Sequence, residues 1–317
     1  MPCHTIGMVR AYSKLADQAH NTTFYALFLG VLGALLLPGM DALAKLLGER
    51  EVMSPGQLTF FRFFIQMVFS VMVLLWIGGI AALHSQRFWI NFLRGVLLGV
   101  ASLLFFIAVK YMPLPDAIAV FFVEPLILTL LSFIVLREKV GWRRIAAVVT
   151  GFGGAVLVIQ PSYAVFGPVA LLPLGTATLF AIYMLLNRQV GQVDSALVMQ
   201  WVSGLGGSVV VLGAMLVGLP FGAADLAFSF NTELSVWGLV IIMAAFGLVG
   251  HYLFVRALQM APASVIAPLQ YLEIVSAALF GYFMFDDFPG FWKWVGIIII
   301  VLSGLFVFHR EEAQAKN

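Results

Sequence analysis

Apolar runs of membrane-crossing length recur along the whole of this chain, separated by connections too short to hold a domain. A helix needs about 20 apolar residues to cross the hydrocarbon core of a bilayer, and it satisfies its own backbone hydrogen bonds as it does so. On that basis the sequence predicts ten spans, at 24–47, 57–80, 88–110, 115–136, 142–160, 167–187, 195–218, 234–257, 263–285 and 291–308. The longest connection runs only from Leu219 to Glu233. Composition agrees: 62% of the 317 residues are hydrophobic and 10% charged, whereas a soluble domain carries about a quarter charged residues. The expected fold is an all-α integral membrane protein.

Composition also excludes several functions. The single cysteine, Cys3, allows neither a disulfide framework nor a thiolate metal site within one chain. A formal charge of +2 with no basic run gives nucleic acid no footprint. Residues 1–23 mix Arg10, Lys14, Asp17 and two histidines without an apolar core, so they read as a cytoplasmic tail and not as a signal peptide. Lys and Arg set the orientation. With the N-terminus inside, 12 of them fall at inner ends and loops, including Arg87, Arg94, Arg137, Lys139, Arg143 and Arg144. Only Lys45, Arg50, Arg62, Lys110 and Lys293 fall outside. Both termini are expected in the cytoplasm, residues 310–317 forming the second tail.

The chain is a duplication. Between Met112 and Trp142 two prolines precede an apolar run with Glu124 near its centre. Sliding the sequence by 149 positions brings Glu124 onto Glu273, Pro113 onto Pro262, Glu138 onto Asp287 and Gly141 onto Gly290. The same shift places Ala147 on Gly296 and Ala155 on Gly304, small residues that let helices approach closely. Ten spans in two copies leave five per copy, at 24–160 and 161–309. Five is odd, so the second copy enters from the opposite face. Two inverted five-helix repeats with a site at their interface are characteristic of secondary transporters.

The doubled five-span unit, the proline turn before each fourth span, and Leu136-Arg137-Glu138 leading into a Gly/Ala-rich fifth span resemble the EamA family of the drug/metabolite transporter superfamily. The resemblance covers residues 24–309. At the end of its fourth helix the second copy departs from the family pattern, with Asp287 for the usual glutamate and Phe285 for leucine. Within the family the layout looks most like the bacterial aromatic amino acid exporters. That resemblance implies a bacterial inner membrane protein exporting small metabolites by alternating access, aromatic or hydrophobic amino acids first, other metabolites or drugs as the alternative.

Charged and polar groups inside the spans each need a reason, since a charged side chain costs at least about 2.5 kcal/mol there. Glu124 and Glu273 either carry protons or lock the bundle by hydrogen bonding. Asp41 and Lys45 share one face of span 1, and Arg62 is expected at a similar depth. The three read as an outer-mouth ion pair, Asp41 with Lys45 or Arg62, or as a clamp on a substrate carboxylate. His251 is either a proton relay or substrate partner, or a histidine satisfied between helices; alone it holds no metal. Gln270, Gln200 and Gln66, with Tyr183, Trp201 and Tyr271, are the further substrate-binding candidates, an apolar cavity with a few amides and aromatics suiting a zwitterion. Glutamine is equally a glue between helices. Pro125 and Pro268, beside the two acids, are candidate hinges or plain packing kinks.

No cofactor or metal is expected. The rival class is an intramembrane lipid-modifying enzyme, which needs clustered acids and a metal or an activated nucleophile; the only acid cluster, Asp286-Asp287, sits at a loop edge. A channel is disfavoured by the lack of a filter-like loop or charged ring. The partners expected are a small-molecule substrate and the lipid bilayer, and a monomer is plausible.

Overall fold

The computed structural model describes residues 3–135, 142–190, 193–229, 233–260 and 266–315. Leu136-Arg137-Glu138, Lys139 and the second proline turn at Pro262 lie outside these residues, as do the side chains of Asn187 and Pro268. Regular structure among the described residues is helical throughout. In order the helices are α1 (Cys3–Glu49), α2 (Pro55–Gly78), α3 (Phe88–Tyr111), α4 (Leu114–Phe121), α5 (Glu124–Val135), α6 (Trp142–Phe166), α7 (Leu172–Val190), α8 (Ala196–Gly218), α9 (Leu234–Met260), α10 (Leu272–Phe285) and α11 (Phe291–Ala315). The expected N-terminal tail is helical from Cys3 and continuous with the first span.

Among the described residues, seven stretches are long and apolar enough to cross a bilayer: Phe24–Glu49, Pro55–Gly78, Phe88–Tyr111, Leu114–Leu131, Ser162–Met184, Ala196–Phe221 and Leu234–Met260. Three shorter apolar helices, Ile145–Ile159, Leu269–Phe285 and Phe291–Phe306, accompany them. Large apolar side chains lie exposed along the outer faces, Trp76, Trp89, Ile77 and Leu234 among them. Such a surface is stable only against lipid or another apolar phase.

Helix pairing follows the duplication. α1 packs on α9 as α7 packs on α3; α2 lies on α9 as α8 lies on α3; α1 meets α10 as α7 meets α4 and α5. The remaining large contacts, α2 with α8 and α6 with α11, join equivalent helices of the two halves. Exchanging the halves therefore returns these pairs, although among the described residues the α1–α3 contact has no comparable counterpart between α7 and α9.

Glycines set how close these pairs come. α6 and α11 cross where a Cβ at Gly296 would lie 2.7 Å from the Gly154 carbonyl oxygen. That is the close approach expected of spans 5 and 10. At the α3–α8 crossing, a Cβ on Gly95 would overlap the Ser203 carbonyl. Equivalent serines start α2 and α8: Ser54 accepts a hydrogen bond from the Gln57 amide and Ser195 from Val198, each satisfying an orphan donor of the first turn.

The fourth span of each half is broken, and both breaks fall just before the duplicated acid. α4 ends at Phe121 and α5 begins at Glu124; in the second half a 3-10 turn, Ala267–Tyr271, leads into α10, whose first turn holds Glu273. A carboxyl in the first turn faces unpaired N–H groups and the positive end of the helix dipole. The repeated acid thus has a local use, beginning a helix inside an apolar layer. Pro125 stands next to Glu124, where a missing N–H costs nothing.

Two clamps hold the connections. Gln57 donates to the Ser229 carbonyl (2.8 Å) and accepts from the Ser229 amide (2.9 Å), while Ser54 donates to Ala227 O (2.7 Å). Asp225 accepts from Lys110 Nζ (2.8 Å) and the Tyr111 hydroxyl (2.9 Å). Together they fasten the α8–α9 connection to the ends of α2 and α3.

Candidate functional site

A cavity of about 850 Å³, counted out to its open mouth, lies between the two halves. Its wall is built from equivalent positions. Ser102 and His251 line it, as do Phe105 and Phe254, and Phe121 and Gln270, each pair 149 residues apart. α1 contributes Leu37, Met40 and Asp41 and α7 contributes Phe180, Tyr183 and Met184, the two sets 143 residues apart. The cavity therefore straddles the axis that relates the halves.

Arg62 occupies that axis. Its Nη1 donates to Ser102 Oγ, and its Nη2 lies 2.6 Å from His251 Nε2. One guanidinium thereby joins equivalent positions of the two repeats. Arg62 is 2% exposed and its Nε has no hydrogen-bond partner. Asp41 and Glu273 line the same cavity, so two carboxyls, one guanidinium and one imidazole join Ser102, Thr176 and Gln270 in a mainly aromatic and aliphatic enclosure.

The expected outer-mouth ion pair is not formed. Lys45 bonds Glu49 (2.6 Å) and Asp287 (3.6 Å) and donates to the Met112 carbonyl (3.1 Å). Its long stem carries the ammonium toward the end of α1, where acids and water are close. Arg62 lies deep because the first turn of α2 is itself buried, from Pro55 to Thr59. Asp41 faces the cavity, with no ion pair within 4 Å among the described residues.

Burial pushes the Asp287 carboxyl above its ordinary 3.8, and Lys45 only partly offsets this. A group that holds its proton more tightly when folded favours folding most below its ordinary pKa; the contribution is lost as pH rises through the raised value. Asp287→Asn should abolish a loss of melting temperature that the parent protein suffers as pH rises above about 3.8, so the variant's profile should climb more steeply across that window. A profile identical to that of the parent protein would assign the titration to another group.

The sequence candidates separate. Gln270, His251, Tyr183 and Glu273 line the cavity, and Gln200 lines a smaller annex beside it. Three others lie elsewhere. Gln66 donates to the Gln200 carbonyl (3.0 Å), tying α2 to α8. Trp201 donates to Leu83 O (3.1 Å) at the α2–α3 connection. Tyr271 turns away from its neighbour Gln270, packs on Phe122 at 5.2 Å between ring centres, and places its hydroxyl over Gly304. Glu124 is buried but off the cavity, so the duplicated acids have diverged in surroundings. Ser102, Thr176 and Arg94 were missed. Hydroxyls are common in helices, but Arg94, a charge within a predicted span, carried a signal that orientation counting absorbed.

Apolar helices of crossing length around a partly polar enclosure define a multi-pass membrane protein with a solute-sized chamber, the architecture of a carrier. The chain belongs to the EamA-like transporter family, whose profile matches residues 18–160 and again 167–309. It is a transporter and not an enzyme, and its two EamA repeats account for the paired packing. It is 26% identical to the S-adenosylmethionine uptake transporter of Rickettsia prowazekii, over 87% of this chain and 90% of that one. It is 29% identical to the riboflavin transporter of Vibrio cholerae serotype O1, over 74% of this chain and 76% of that one. A solved crystal structure shares the fold, with TM-score 0.59 at 19% identity over 92% of this chain and 99% of that one.

Proposed function

We propose that the protein is a secondary carrier of a bacterial plasma membrane, moving a heteroaromatic metabolite through the cavity between two inverted five-helix repeats. In this reading α4 and α5 together form one of ten spans and the Ala267–Tyr271 turn with α10 another, and the Lys and Arg distribution supports both termini on the cytoplasmic side. The rocking of the two halves about Arg62 supplies alternating access.

The observation that carries the substrate class is the cavity wall. Phe105, Phe121, Phe180, Tyr183 and Phe254 offer ring faces, while Asp41, Arg62, His251, Gln270 and Glu273 offer polar contacts to the same enclosure. A flat ring joined to a charged or hydrogen-bonding chain satisfies both. The named relatives support such a solute, S-adenosylmethionine or riboflavin, and the first of them favours uptake. They lend nothing to the expected export of aromatic amino acids, although a ring with a zwitterionic end meets the same wall.

Purified protein in sealed proteoliposomes should take up radiolabelled S-adenosylmethionine or riboflavin saturably and show counterflow. Phenylalanine should compete weakly. Flux of neither metabolite, with strong phenylalanine counterflow, would return the substrate to the amino acid class.

A further inference from the structure

Beside the main cavity, and sharing Leu98, Tyr183, His251 and Val255 with it, lies a small annex with room for about one water-sized group. Two of its wall residues present donors with no partner: Arg94 Nε and Gln200 Nε2, on side chains of residues 1% and 7% exposed. We propose that this annex is the carboxylate subsite of the carrier, with Arg94 and Gln200 receiving the anionic end of the solute while its ring lies in the main cavity. The inference rests on the carrier reading above and extends it to solute orientation.

The charge balance points the same way. A guanidinium stays protonated under all ordinary conditions, and burying one unpaired is among the costliest arrangements in a protein. Arg94 makes no ion pair among the described residues. Nη1 donates to Asn91 Oδ1 (2.6 Å) and Nη2 to the Tyr183 hydroxyl (3.2 Å). Asn91 in turn donates to Asp194 (2.7 Å), which is occupied by Ser85 and the Gln86 amide as well. Asp194 thus compensates Arg94 only through an intervening amide. The network fixes the guanidinium in the annex wall through both Nη atoms and leaves Nε buried without a partner.

Symmetry argues against a packing role. The position 149 residues beyond Arg94 is Met243, fully buried. A packing device tends to be copied with the fold; this cation stands on one side only, as an oriented polar solute requires. A single monoanionic group with two acceptor oxygens matches one guanidinium edge and one amide N–H. A phosphate dianion would find half the charge it needs.

Binding to the full-length protein in lipid nanodiscs tests this with acid and amide pairs: phenylalanine against phenylalaninamide, and S-adenosylmethionine against its decarboxylated counterpart, with inorganic phosphate as a third arm. The acid should be preferred by about tenfold or more. Arg94→Gln should bring acid and amide near parity, Arg94→Lys should restore part of the preference, and Gln200→Leu should reduce it severalfold. Equal binding of acid and amide by the parent protein, phosphate outranking both acids, or a preference intact in Arg94→Gln would each overturn the proposal. If Arg94→Gln does not fold, Arg94→Lys and Gln200→Leu decide. A phenylalanine preference without uptake of either metabolite keeps the subsite and discards the solute reading; uptake with no acid preference does the reverse.

Discussion

Arg62→Gln should lower carrier flux by about a hundredfold or more in proteoliposomes, the largest effect expected of any single polar replacement in this chain. Two hydrogen bonds leave the guanidinium, one for each repeat. Each bond from a charged donor contributes roughly 1.5–3 kcal/mol, so losing both reaches a factor of a hundred. The loss would also leave Asp41 and Glu273 in the cavity without its one guanidinium, changing the field every solute meets. Lys110→Gln removes a cation from a part-buried loop-edge pair with Asp225, away from the cavity, and should change flux by less than about threefold. Equal effects from the two replacements would mean that Arg62 acts only as another buried charge.

The largest loss of stability should follow Gly95→Ala. The added methyl would overlap backbone atoms of Ser203, and a backbone cannot rotate aside as a side chain can. α3 and α8 would have to separate, and Gly206, whose own Cβ would strike the Phe92 carbonyl, shows that the same crossing is tight from both sides. We expect a cost of about 3 kcal/mol, at the upper end of overpacking penalties, read as a fall in melting temperature in nanodiscs. Gly153→Ala is the control: a Cβ there meets nothing within 4 Å, and the melting temperature should hold or rise slightly. A Gly95→Ala protein as stable as the Gly153→Ala protein would show that the two helices have room to spare.

The duplication was readable because equivalent acids, prolines and glycines keep a constant offset of 149 residues. The same offset pairs Ser102 with His251, yet neither would be matched by eye, since hydroxyl and imidazole share no side-chain chemistry. Arg62 illustrates the limit in depth. Counted along an apolar run, it falls near the outer end of its span; in the folded chain the start of α2 is buried and the arginine comes to rest at the centre. Lys45 illustrates the limit in partners. Its helix neighbours at four residues on either side are both acidic, and helical spacing alone does not choose between Asp41 and Glu49.

Apolar periodicity and length decide that this chain resides in lipid as helices, because backbone polar groups have no other solvent there. Its internal repeat decides that two similar halves pack together. Which polar groups meet across the seam was settled only in three dimensions. A hydrogen bond depends on distances between side chains more than a hundred residues apart, and no local pattern encodes them. Arg62 finding Ser102 and His251, and Arg94 being held in the wall of the annex, belong to that second category.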